Sequence, residues 1–259
     1  AQDELPQSGS GRTIMTAEPK FVPEEAVELR LAEGAAFSVR LVDCVGYMVD
    51  SAVGQFEDLS PRMVMTPWFD HEIPMTEAAE IGTRKVITDH ATVGIVVTTD
   101  GTITDIPRED YREAEERVIR ELQDIGKPFV VLVNSAQPED PRAAAAAAEI
   151  QTRYGVTCRC VNCLTLTEED IGDILQDLLY QFPLRELDVF LPEWVDALPG
   201  EHPIRSGLYQ EIGEAASQLT RICALPPCLA ALSQGENIES AAASTIDLGN
   251  GVAQVEIRL

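Results

Sequence analysis

Residues 93–134, VGIVVTTDGTITDIPREDYREAEERVIRELQDIGKPFVVLVN, decide the fold. Their two ends, VGIVVTTD (93–100) and PFVVLVN (128–134), are continuous apolar runs of strand length. Runs of this kind fit strands buried on both faces of a parallel sheet, because alternation is lost when neither face meets water. Between them, residues 108–126 place Ala114, Val118, Ile119, Leu122 and Ile125 on one helical face, and Gly126 with Pro128 ends the helix. Strand, helix and strand in this order form the crossover that parallel pairing requires.

The same grammar continues on both sides. TEAAEIGTRKVITDH (76–90), DPRAAAAAAEIQTRYG (140–155) and TEEDIGDILQDLLYQF (167–182) read as helices, and VTCRCVN (156–162) as a weaker strand. VELRLAEGAAFSVRLVD (27–43) is two period-2 segments joined around Glu33 and Gly34, the pattern of a hairpin. Strands alternating with helices give an α/β class with a doubly wound sheet. Past Pro183 the pattern changes. LDVFLPEWVDALPG (187–200) is extended or turn-like, residues 206–223 are helical, and residues 245–259 form a hairpin turning at Gly249–Gly251. A boundary near residue 183 therefore separates residues 1–183 from residues 184–259.

Composition narrows the function. The chain has 259 residues, 45% of them hydrophobic, and 44 acidic against 19 basic residues, a net charge of -25. Such a surface repels phosphates and anionic head groups, so a nucleic-acid footprint is not expected. No run approaches the roughly 18 apolar residues of a membrane span, and AQDELPQSGSGRT at the start has no leader pattern, which reads as cytosolic. Six scattered cysteines do not make a disulfide scaffold. A first residue that is not Met, and a strand-like end VAQVEIRL, suggest an internal fragment of a longer protein.

The chemistry centres on Asp43, Cys44, Val45 and Gly46, a D-x-x-G at the end of a strand-like run. At the carboxyl edge of such a sheet an aspartate can hold a magnesium ion, and Gly46 leaves its N–H free for a terminal phosphate oxygen. The long loop from Tyr47 to Pro74 follows directly, and loops of that length are usually functional. RTIMTAEPKFVP (12–23) offers Thr16, fixed by an extended Pro-flanked chain, as the threonine that senses the phosphate through the metal; two solvated threonines are the plainer reading.

A base-reading element is expected after a later strand, where GTP-binding proteins carry Asn-Lys-x-Asp. Here Asn134 is followed by Ser135, Ala136 and Gln137, so the guanine-specific acid is missing and relaxed specificity or adenine binding follows. Asn134 can equally be a strand-end cap. No G-x-x-x-x-G-K-[ST] phosphate loop is present; PQSGSGRT (6–13) has proline for the first glycine and arginine for lysine. Cys158, Cys160 and Cys163 lack a fourth ligand and read as buried apolar cysteines rather than zinc ligands. His71, His90 and His202 fit no nucleophile spacing. Thr98, Thr99, Asp100 and Thr102, at the end of a buried strand, could approach a nucleotide or the long loop, or simply cap the next turn.

The strings TIMTAEPKFVP, LVDCVGY, MTPWFD, EAAEIGTRKVI, TTDGT and AEERVI, continuing to LGNGVAQVEI, occur together in this order. In them the chain resembles the stage IV sporulation protein A family, spore-coat morphogenetic ATPases of the translation-factor-related P-loop class. The resemblance implies ATP and Mg2+ as cofactors and self-assembly into the basement layer of the coat. It also implies coat and forespore-surface proteins as partners, and a place in the mother-cell cytoplasm at the forespore surface. It makes Asp43 a Walker B-type magnesium aspartate, Gly46 the phosphate-sensing glycine and Thr16 a sensor. Ala17 departs from the second threonine expected there. The family's first strand and phosphate loop precede the part matched, so the P-loop-type sheet is expected to lack both and to be followed by the start of a smaller α+β middle domain. Such a fragment would bind ATP poorly and hydrolyse none. The strands flanking the gap would either lack a neighbour or close up and pair. A non-hydrolysing scaffold is the alternative; a GTPase switch is opposed by Ser135 and Gln137.

Overall fold

The computed structural model describes residues 20–30, 36–44, 46–49, 51–52, 56–57, 60–66 and 69–259. Thr16, Thr13, the PQSGSGRT stretch and the turn at Glu33 and Gly34 lie outside these residues. Two compact units are present, the first reaching Leu175 and the second running from Gln176 to Leu259.

In the first unit, β1 (Lys20–Arg30) and β2 (Ala36–Asp43) form the antiparallel hairpin. The register shifts between Val22 and Val27, at the segment holding Pro23, which has no N–H to give to the ladder. Downstream, β3 (Gly94–Thr99), β4 (Phe129–Asn134) and β5 (Cys158–Val161) make a parallel sheet in that order. Helix α1 (Met75–Lys85) precedes it, while α2 (Arg108–Asp124) and α3 (Pro141–Tyr154) are the crossovers. Helix α4 (Glu168–Tyr180) follows the last strand. Asp140 caps α3 by accepting from the Arg142 N–H, and Gly155 ends it in the left-handed conformation at φ 64°. The core joins Ile119 and Leu122 of α2 to Phe129, Val131 and Val133 of β4 and Ile150 of α3.

Three expectations need correction. β4 is buried on both faces, but β3 is not: Ile95 and Val97 are 36% and 56% exposed, because no described element covers their face. Ile125, expected on the apolar face of α2, is exposed, since the helix ends at Asp124 and Ile125 only caps it. Cys163 is exposed because the chain turns after Val161; Cys158 is buried, which pushes its thiol up to about 12. Among the described residues no group of three or more His, Cys, Asp or Glu could hold a metal.

Residues 86–90 continue α1 as a single π-helical turn, so the helical stretch ends at His90, where the sequence pattern also ends. Its end is held by Lys127, whose Nζ donates to the carbonyls of Ile87, Thr88 and Ala91 at 2.5, 2.8 and 2.6 Å. An ammonium on orphan C-terminal carbonyls satisfies both their hydrogen bonding and the helix dipole. Lys127→Met keeps the stem and removes all three bonds, so stability is expected to fall by about 1.5–3 kcal/mol, read as the urea midpoint.

The second unit packs a three-stranded sheet against helices. β6 (Glu186–Phe190) lies parallel to β8 (Val252–Arg258), which pairs antiparallel with β7 (Ser240–Asp247). The helix expected over 206–223 instead spans Pro203–Ser217 (α5), because Pro203 can open a helix and the His202 side chain accepts from the Ile204 N–H. A further helix, α6 (Leu225–Leu232), follows a short 3-10 turn. Leu208, Leu225, Val195 and Val255 are fully or almost fully buried in its core.

Candidate functional site

Strand register aligns Thr99, Asn134 and Val161 in one row at the carboxyl edge of the parallel sheet. Just beyond this row a polar network closes over the strand ends. Asp100 Oδ1 accepts from the Thr102 N–H at 3.0 Å and from its hydroxyl at 2.6 Å, and Oδ2 accepts from Ser135 Oγ at 2.7 Å. Burial works against the Asp100 carboxylate, but these hydrogen bonds outweigh it and hold its pKa below the ordinary value. Asp100 and Thr102 thus cap the turn after β3 and tie it to the loop after β4. Asn134 Oδ1 accepts from the Cys163 N–H at 3.0 Å, a brace from β4 to the chain leaving β5, as the strand-end reading of Asn134 expects.

Asp43 and Gly46 sit elsewhere in the same unit. β2 pairs with β1, and no ladder joins it to β3 among the described residues, so the flanking strands have not closed up. Between them lies a cavity of ≈ 410 Å³, bordered by Asp43, Cys44 and Gly46 on one side and by Gly94–Thr98 on the other. Asp43 is exposed at its edge; partial desolvation raises its pKa, against which a backbone hydrogen bond at Cys44 acts. Gly46 adopts φ 79°, and a Cβ there would meet no atom within 4 Å. Its backbone therefore demands glycine for conformation, while the space beside it is open. A carboxylate and an open backbone position at a strand end suit a hydrated magnesium ion and phosphate oxygens. The site brings together Asp43 and Gly46 and separately Asn134 with Asp100; Thr16 lies outside the described residues.

The chain leaving Gly46 is held by α2. The Tyr47 hydroxyl donates to Glu121, the Arg117 guanidinium lies 4.3 Å from the Tyr47 ring centroid, and Arg117 forms paired bonds to Glu80 of α1 at 2.7 and 3.0 Å. Burial, then the Glu121 hydrogen bond, raise the Tyr47 pKa. Ser51 also donates to Asp110 at the start of α2. A buried pair lies nearby: Arg108 binds Glu115 at 2.5 and 2.9 Å and Thr98 Oγ1 at 3.0 Å. The sequence reading missed both clusters. Glu115 stands between Ala114 and Val118 on the apolar face of α2, seven residues after Arg108 and so two turns along the same face, which is the signal that could have found the pair.

Comparison with known proteins places these observations. Residues 1–183 match the family model described as stage IV sporulation protein A, ATPase domain, and residues 184–259 the model of the middle domain. The chain is 45% identical over 257 residues to stage IV sporulation protein A of Bacillus subtilis (strain 168) and of Bacillus anthracis. It is 40% identical to the Clostridioides difficile (strain 630) protein. Each match covers 99% of this chain but 52% of the relative, so the chain spans about half the length of the curated relatives it matches. No solved structure matches. With the identity to these relatives and both family models together covering its whole length, the chain belongs to the stage IV sporulation protein A family.

Proposed function

We propose that the protein hydrolyses ATP and couples turnover to self-assembly in the basement layer of the bacterial spore coat. The observation that carries this reading is the cavity between the Asp43–Gly46 strand end and the uncovered β3, inside the part that matches an ATPase domain. Its apolar wall and the two strand edges beside it, which carry no ladder partner among the described residues, have the form of a sheet position waiting for a strand. In this proposal a strand and phosphate loop from outside residues 1–259 fill that position, widening the sheet into a doubly wound P-loop type. The loop's backbone N–H groups and lysine then cradle the phosphates beside Asp43.

Asp43 would hold the magnesium ion, whose chemistry is to neutralise charge on the phosphates, and Thr16 would sense the same group. Gly46 would offer its N–H to a terminal phosphate oxygen, and Asn134 would brace the loop facing the base. Residues 184–259 match the family's middle domain. Partners are further copies of the protein and coat and forespore-surface proteins; no nucleic acid is involved. The place of action is the mother-cell cytoplasm at the forespore surface. No helix among the described residues is long and apolar enough to cross a membrane, so membrane association would run through partners.

The test compares the full-length protein with the 259-residue chain. Magnesium-dependent ATP turnover with polymer formation is expected from the first, and weak ATP binding without turnover from the second. Turnover by the shorter chain would show that the site is misplaced, and polymerisation of the full-length protein without turnover would favour a non-hydrolysing scaffold.

A further inference from the structure

We infer that Tyr47 positions Gly46 for the terminal phosphate of the nucleotide, an inference that rests on the nucleotide-hydrolase reading above. Glycine is the residue whose direction its own backbone fixes least, and Gly46, at φ 79°, has no atom within 4 Å of the place a Cβ would take. Packing on that side therefore does not hold it. Its N–H is directed at the Cys44 sulfur, an acceptor weak enough to be displaced by a phosphate oxygen. The orientation of Gly46 is left to its chain neighbours: on one side the end of β2 at Asp43, laddered to Lys20, and on the other Tyr47.

Tyr47 is gripped by side chains from two helices. Its hydroxyl donates to Glu121 of α2, and the guanidinium of Arg117, one turn earlier on that helix, lies 4.3 Å from its ring centroid. Arg117 is itself clamped by its paired bonds to Glu80 of α1, so the cation over the ring is held in one geometry. Four residues further on, Ser51 donates to Asp110 at the other end of α2, a second tether on the same chain. Asp110 and Glu121 stand about three turns apart, so the chain leaving Gly46 is strapped along the helix rather than free to swing. The phenol takes no part in proton transfer: burial, then the Glu121 hydrogen bond, raise its pKa and keep the proton on oxygen. Tyr47 thus acts through Gly46. ATP carries the phosphate that this glycine serves and ADP lacks it, and order imposed on Gly46 beforehand is order that ATP need not supply on binding.

The test uses the full-length protein and reads kcat for ATP together with the Kd of a non-hydrolysable ATP analogue and of ADP. Tyr47→Ala is expected to raise the analogue Kd and lower kcat by about 10-fold each, the scale of one hydrogen bond to a charged group, while the ADP Kd stays within about 2-fold. Tyr47→Phe keeps the ring beneath Arg117 and loses the bond to Glu121, so a change of about 3-fold in the same direction is expected; this variant decides the matter if the alanine variant does not fold. Glu121→Gln keeps an acceptor for the phenol and should stay near the parent. An analogue-to-ADP ratio that holds still in the tyrosine variants overturns the assignment of Tyr47 alone: both Kd values rising together would make it a structural support, and neither moving would make it dispensable. A parent protein that binds neither nucleotide overturns the nucleotide reading, and this inference with it.

Discussion

Asp43→Asn in the full-length protein is expected to lower ATP turnover by about 10²–10³-fold, the scale on which one preorganised charge-stabilising contact acts. The structure makes this substitution a clean one. Asp43 is exposed at the end of β2 and has a backbone hydrogen bond at Cys44, so an isosteric amide leaves the strand end and the Gly46 turn in place. What the amide loses is its charge, the property a magnesium ion requires of this position. The magnesium concentration for half-maximal rate should rise together with the fall in kcat, while thermal stability stays within about 0.5 kcal/mol of the parent, as for a surface change. Unaltered turnover and magnesium dependence would remove Asp43 from the site. A loss of stability equal to the loss of rate would make it a structural residue instead.

The parts of this site legible in the sequence were those fixed by local pattern. The parallel strands at 94–99 and 129–134 were plain, because apolar runs of that length around an amphipathic helix have few other solutions. Asp43 and Gly46 were singled out by spacing alone, and the hairpin that ends at Asp43 was legible from its alternation. Depth of burial was less legible. β3 and β4 both open on continuous apolar runs, yet Ile95 and Val97 face an uncovered side, and coverage depends on which elements pack there rather than on the strand itself. The Asp100–Ser135 bond joins residues 35 apart, and the Tyr47–Glu121 contact residues 74 apart. No periodicity carries such pairs. Ser135 illustrates the point, for by motif it was only a departure from lysine, whereas in three dimensions it is fully buried and anchors the loop that presents Gln137.

The buried pair at the start of α2 sets the largest stability effect. Glu115 and Arg108 keep only 4% and 11% of their side-chain surface exposed, and they meet through two hydrogen bonds. Burial works to lower the Arg108 pKa, but the hydrogen bond and charge of Glu115 outweigh it and raise the value, so the guanidinium stays charged inside the unit. Arg108 Nε has no hydrogen-bond partner among the described residues, so Glu115 carries most of its compensation. Glu115→Ala therefore strands a desolvated cation and is expected to cost about 3–5 kcal/mol. That corresponds to a fall in Tm of roughly 6–20 °C for a unit of this size. Replacing both partners, Arg108→Met with Glu115→Leu, should recover most of the loss, because no unpaired charge remains. Hydrogen exchange at the Val131 and Val133 amides reports the same opening from within the sheet. A loss under about 1 kcal/mol for Glu115→Ala would mean that water already serves the guanidinium and that the pair is not sealed. Because Arg108 also holds Thr98, two residues before Asp100, the single variant should loosen the network that supports Ser135 and Gln137. The double variant, lacking that bond as well, should regain stability without regaining the rigidity of the ligand edge.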